Sequence, residues 1–168
     1  SKEHRPNPIV GMGLFMDHDG IPIAFCIYPG NQNEQPTMKP LEKKILKDFD
    51  MGNVVVCTDA GLSSKQNRKY NDLRLCGEEM RSFITTQSIK QLSSDLKEFA
   101  LDTGGWHLAG DSREYNIAEL DEDACFDKIF YKERWIKEDT SAAAEAKGKK
   151  PLEQRLVVSF SLKYRNYL

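Results

Sequence analysis

The sequence predicts an α/β fold: a mixed, layered sheet with flanking helices, followed by a β-rich insertion. Three observations predict it. Apolar runs of strand length alternate with amphipathic helical spacing over residues 8–86, in the order β-β-α-β-α-β. Such alternation implies a sheet with a parallel part and right-handed crossovers. Val54-Val55-Val56-Cys57 is a short continuous apolar run, the pattern of a strand buried on both faces. Beyond residue 90 the alternation gives way to strand-like stretches in a more polar background.

Residues 8–28 read as a β-hairpin. Ile9 to Met16 is apolar, Asp17-His18-Asp19-Gly20 supplies turn residues, and Ile21 to Tyr28 is apolar again. In the second strand Ile21, Ile23, Phe25 and Ile27 share one face, and Ala24, Cys26 and Tyr28 the other, so both faces are expected to be covered. Pro29-Gly30-Asn31 ends the strand. From Pro36 the period becomes helical, with Met38, Leu41, Ile45 and Phe49 on one stripe and Met51-Gly52 as its end. The Val-rich strand follows and leads into Thr58-Asp59-Ala60-Gly61. Ser63 with Gln66 has capping-box spacing and opens a helix to about Leu75, closed by Gly77, before a strand at 82–86. Further on, residues 115–120, 129–137 and 156–160 have strand patterns, and 142–150 is low in complexity.

Composition narrows the function classes. Of 168 residues, 39% are hydrophobic and 30% charged, which suits a globular chain. No apolar run has the roughly 20 residues that span a bilayer, and no signal peptide is evident, so a cytoplasmic location without membrane contact is expected. The net charge of −2 exerts no global pull toward nucleic acid, and any DNA contact must come from local patches. Cys26, Cys57, Cys76 and Cys125 are scattered, with no Cys-x-x-Cys pair, and read as buried thiols rather than a zinc site or disulfide framework. The chain begins at Ser1 without a methionine and stops at Leu168 in what resembles a helix start, so both ends are expected to be cut.

Asp59 is the leading candidate for chemistry. Sites in open α/β sheets form where loops leave the carboxyl ends of strands, and Asp59 follows such a strand directly. A carboxylate there can ligate a hard divalent cation if other oxygens converge on it. The other reading is a cap for the next turn, the commoner use of a strand-end aspartate when spacing alone is considered. Lys65, Arg68 and Lys69 follow at helical spacing and would meet a phosphate backbone, or form a solvated helix face. The same alternatives hold for Lys147, Lys149 and Lys150. Asp17 ends an apolar strand but lies in turn chemistry. His4, His18 and His107 are too far apart in sequence to suggest a ligand pair, and no glycine-rich phosphate loop occurs.

Several blocks together resemble the DDE transposases of the insertion sequence 4 superfamily. They are Ser1 to Val10 followed by Gly13-Leu14-Phe15-Met16-Asp17, and Gly20-Ile21-Pro22 running to Pro29-Gly30-Asn31 and Glu34. Cys57-Thr58-Asp59-Ala60-Gly61-Leu62 with Asn67 is similar to the block carrying the family's second catalytic aspartate. Phe130 to Lys137, then Glu153 to Val158, resembles the end of the family's insertion. The match runs in order through nearly the whole chain.

The resemblance implies a ribonuclease H-like fold, truncated at both ends. Residues 1–89 would form the core without its first strand, 90–153 a β-rich insertion, and 154–168 the return to the core. It also implies two-metal phosphoryl transfer on DNA, with Mg²⁺ or Mn²⁺ held by three acids. Asp59 maps onto the second acid, and the other two are expected outside this chain. Glu133 is a poor substitute for the third acid, since it lies in a strand-like stretch. The parent is thus expected to be an enzyme acting on transposon ends and target DNA, dimeric and nucleoid-associated in a bacterium. This fragment is expected to be inactive and to bind no metal by itself. Trp106 and Trp135 fall in the insertion, as core residues or as stacking surfaces for unpaired bases. A non-catalytic DNA-binding or dimerisation module from a degenerate transposase is the alternative. An unrelated α/β hydrolase or phosphatase lacks support, because there is no nucleophile elbow or acid–histidine cluster.

Overall fold

The computed structural model describes residues 9–72, 80–138, 146–148 and 150–167. The helix end expected near Leu75 and Gly77, Cys76, Lys149, the opening block 1–8 and most of the low-complexity stretch lie outside the described residues. The chain is mixed α/β and divides into two units, Ser1–Ser88 and Ile89–Leu168.

In the first unit β1 (Val10–Met16) and β2 (Pro22–Pro29) pair as an antiparallel hairpin. Its turn is fixed locally. Asp17 Oδ1 accepts from the backbone N–H groups of Asp19 and Ile21 at 3.0 and 2.9 Å. Gly20 takes φ 81°, a conformation glycine reaches without steric cost. Across the strands Tyr28 lies over Gly11, where a Cβ would collide with its ring. α1 (Met38–Asp48) buries Met38, Leu41 and Ile45 and packs against β2. Phe49, expected on that stripe, instead caps the helix and is exposed, because the chain leaves the helical path there for a left-handed Asp50.

β3 (Asn53–Thr58) and β4 (Met80–Thr85) pair in parallel, in register from Asn53↔Met80 to Thr58↔Thr85. Between them α2 (Lys65–Tyr70) is capped by Ser64, whose hydroxyl accepts from Asn67 N. The cap thus falls one residue later than the Ser63/Gln66 spacing suggests. The hairpin and the parallel pair are separate two-stranded sheets.

Neither sheet is covered on both faces, contrary to expectation. Val10, Met12, Leu14, Met16, Phe25 and Ile27 are 44–68% exposed. In β3, Val56 is buried but Val55 is 58% exposed. Helix α1 covers one side of β2 only, and periodicity cannot say whether a second layer exists. Cys57 shares the open side and is exposed, while Cys125 is buried as expected and Cys26 is half-buried.

The second unit contains α3 (Ser94–Leu101), β5 (His107–Leu108), α4 (Glu122–Cys125), β6 (Phe130–Glu138), β7 (Leu152–Phe160) and α5 (Leu162–Tyr167). The strands form an antiparallel sheet in the order β5-β6-β7. Strand β7, which includes the stretch read as returning to the core from residue 154, is hydrogen-bonded along its whole length to β6. Trp106, Cys125, Phe130 and Leu162 make the core. The strand expected at 115–120 reduces to a single bridge between Trp106 and Tyr115. Asn116 diverts the chain into a turn there, its Oδ1 accepting from Ala118 N at 3.1 Å.

Candidate functional site

Asp59 stands where β3 ends, extended at φ −77° and ψ −179°, and caps the 3₁₀ turn Ala60–Leu62. Its Oδ1 accepts from Gly61 N at 2.9 Å and Leu62 N at 3.3 Å. Among the described residues its Oδ2 receives no hydrogen bond. The capping reading is therefore realised, and it leaves the second oxygen open. Capping also fixes the carboxylate's orientation, which favours ligation by that oxygen over a freely rotating side chain.

The loop behind Asp59 is clamped from two directions. From β4, Thr85 Oγ1 donates to the Asp59 carbonyl at 3.2 Å and accepts from Thr58 Oγ1 at 3.0 Å. From the segment after β2, the Gln35 side chain reaches across: Nε2 donates to the Gly61 carbonyl, and Oε1 accepts from Ser64 N at 3.0 Å. Asn67, 3% exposed on α2, completes the clamp. Its Nδ2 lies 3.1 Å from both Gln35 O and Gln35 Oε1, and 3.0 Å from Leu62 O. These bonds satisfy backbone groups that an irregular loop would otherwise leave unpaired.

A second carboxylate stands close to Asp59. A Cβ added at Gly61 would lie 2.8 Å from Glu34 Oε1 and 3.1 Å from Asp59 Oδ1, so both oxygens crowd the space that glycine leaves empty. Partial burial and the Glu34 carboxylate push the Tyr28 phenol above its ordinary pKa, which places Tyr28 beside the same group. Among the described residues no set of three His, Cys, Asp or Glu side chains converges as a metal site. Asp59 and Glu34 supply oxygen donors of the type that Mg²⁺ takes, an ion commonly held by one or two carboxylates while it keeps several waters. They do not make a complete two-metal set.

Lys65, Arg68 and Lys69 share a side of α2, Lys65 exposed and the other two half-buried. Arg68 Nε donates to the Ser63 carbonyl at 3.1 Å, so this residue also braces the Asp59 loop. Lys147 is exposed in a turn at 146–148, and Lys150 is exposed as well. Asp17 is engaged in the hairpin turn. Glu133 is on β6 and pairs with Arg155 at 3.2 Å. The two tryptophans differ: Trp106 is core at 2% exposure, and Trp135 stands on the open sheet surface at 71%.

Sequence reasoning missed Glu34 and Gln35 as neighbours of Asp59. They lie 25 and 24 residues away in a turn-rich segment, where no periodicity marks which side chains converge. The one signal was Gly61, whose missing Cβ hinted at a close approach without naming what approaches. No protein-family model matches the chain, and neither do any curated proteins or solved structures.

Proposed function

We propose that this chain is part of a DDE-type DNA transposase of the insertion sequence 4 superfamily, and that Asp59 is one of its metal-binding acids. The observation that carries the reading is Asp59 itself, at the carboxyl end of a parallel strand, with one oxygen immobilised and the other open. Unit one would be the ribonuclease H-like core. Its order β-β-α-β-α-β, with β3 and β4 parallel, supports this.

Asp59, with Glu34 beside it, would hold Mg²⁺ or Mn²⁺, and the bound ion would activate a water or 3′-hydroxyl and stabilise the leaving oxygen. The chain's own contribution is to fix the carboxylate: Gln35, Asn67 and Thr85 hold the loop so that the open oxygen keeps one direction. Lys65, Arg68 and Lys69 would add salt-dependent contact to DNA phosphates. The full protein would act as a homodimer on transposon ends and target DNA in a bacterial cytoplasm. With one of three acids mapped, this chain alone is expected to cleave no DNA. A non-catalytic DNA-contact or dimer module is the second reading, favoured by the use of Asp59 Oδ1 as a turn cap.

Manganese titration of the isotope-labelled chain tests the assignment. At millimolar manganese, where broadening reads even an ion that the lone chain does not retain, the effect is expected to centre on the amides of Gly61 and Leu62 and to vanish in Asp59→Asn, which keeps the capping oxygen but removes the charge. Broadening elsewhere, or unchanged broadening in the variant, overturns it.

A further inference from the structure

The most unusual polar arrangement in the first unit has no part in the Asp59 loop. Glu42 projects from α1 and is 2% exposed, and Asn71, just after α2, is fully buried. Asn71 Nδ2 donates to Glu42 Oε2 at 3.1 Å. The remaining oxygen of each group, Glu42 Oε1 and Asn71 Oδ1, is buried and accepts no hydrogen bond. Two orphaned acceptors on partners already joined by one bond are a specific pattern, because a single proton between them satisfies both. A carboxylic acid and a primary amide can close a ring of two hydrogen bonds, N–H to C=O on one side and O–H to C=O on the other.

The alternative is a buried, ionised carboxylate with one hydrogen bond, an arrangement that low dielectric penalises heavily. The groups facing Glu42 do not remove that penalty. Lys39 from its own helix and Arg81 from β4 draw it toward ionisation, but Arg81 Nη1, also buried, donates to neither Glu42 oxygen. Arg81 lies over the Tyr70 ring, 4.3 Å from its centroid, and its Nε donates to the Tyr70 carbonyl. Tyr70 on α2 and Asp72, a buried acid beside Asn71, add no compensating positive charge.

We infer that Glu42 keeps its proton in the folded chain and donates it to Asn71 Oδ1, making the α1–α2 contact a proton-dependent latch. Burial, the largest influence on Glu42, raises its pKa in agreement with this geometry. A carboxyl whose pKa is raised by folding stabilises the fold fully below its unfolded pKa, and that contribution is lost as pH rises through the folded value. Between the unfolded and the folded values the folding constant falls about tenfold per pH unit, and above the folded value this group adds no further pH dependence.

Two measurements on the chain test the latch. Carboxyl-carbon NMR of the wild type should show Glu42 still protonated above the ordinary glutamate range. Glu42→Gln, whose amide N–H replaces the acid O–H, should fold and lose the decline of thermal midpoint with rising pH. A Glu42 carboxyl that titrates in the ordinary range overturns the inference, whether or not the variant folds. So does a folded Glu42→Gln variant whose midpoint falls with pH as the wild type's does.

Discussion

Asn67 shows how much a single amide can organise. It has three acceptors around one nitrogen and is nearly inaccessible to water, so it fastens the Asp59 loop to α2 and to the segment after β2 at once. Truncation would take this donor from the Gln35 and Leu62 carbonyls in a part-buried setting, where an unsatisfied group costs about 1–3 kcal/mol. Asn67→Ala is therefore expected to lower chemical-denaturation stability by about 2 kcal/mol. A double-mutant cycle with Gln35→Ala should show strong coupling, because either change alone breaks the same clamp. Independent, additive effects would contradict the clamp. Asp59 was visible in the sequence because one residue's position after an apolar run is a local fact. Its support was not, since Glu34, Gln35 and Asn67 meet only in three dimensions. The same limit explains the tryptophans: composition alone gave Trp106 and Trp135 the same description, yet their positions around β5 and β6 separate core from surface.

At the scale of elements, the hairpin was legible because its signals are local. Period-two alternation marks the strands, and Asp17 and Gly20 mark the turn between them. Helix α1 was readable from the spacing of Met38, Leu41 and Ile45, and the parallel pair from alternation with helices. What stayed hidden was coverage, because an apolar side chain reads the same whether a helix or solvent lies over it. The stretch after 90 was read as β-rich and holds α3 and α4 as well; these helices are short, and α4 has little room for periodicity. Gly30 closes the hairpin at its far end, where its N–H donates to the Ile9 carbonyl at 2.7 Å. A Cβ there would lie 2.6 Å from that carbonyl oxygen, and backbone cannot rotate aside as a side chain can. Gly30→Ala is expected to destabilise by about 1–3 kcal/mol, as overpacking does. Hydrogen exchange should localise the loss to β1 and β2; unchanged protection there would refute it.

At the scale of the molecule, both tryptophans belong to the unit Ile89–Leu168, so tryptophan fluorescence reports that unit. Phe130 is wholly buried and sits edge-on to Tyr115, with ring centroids 5.2 Å apart. Phe130→Ala is expected to cost about 3–5 kcal/mol and to shift the fluorescence-detected transition accordingly. Trp135→Ala should change stability by no more than about 0.5 kcal/mol, as exposed substitutions usually do. Comparable losses for the two variants would contradict the assignment of core and surface. The bare side of the hairpin has a practical consequence for anyone handling this chain. Six wet aliphatic, thioether and aromatic groups side by side make an apolar patch of the kind that invites association. They make the purified polypeptide a natural ligand for solvatochromic dyes and for its own neighbours at high concentration. Lysine in place of Met12 or Ile27 would be the first repair to try.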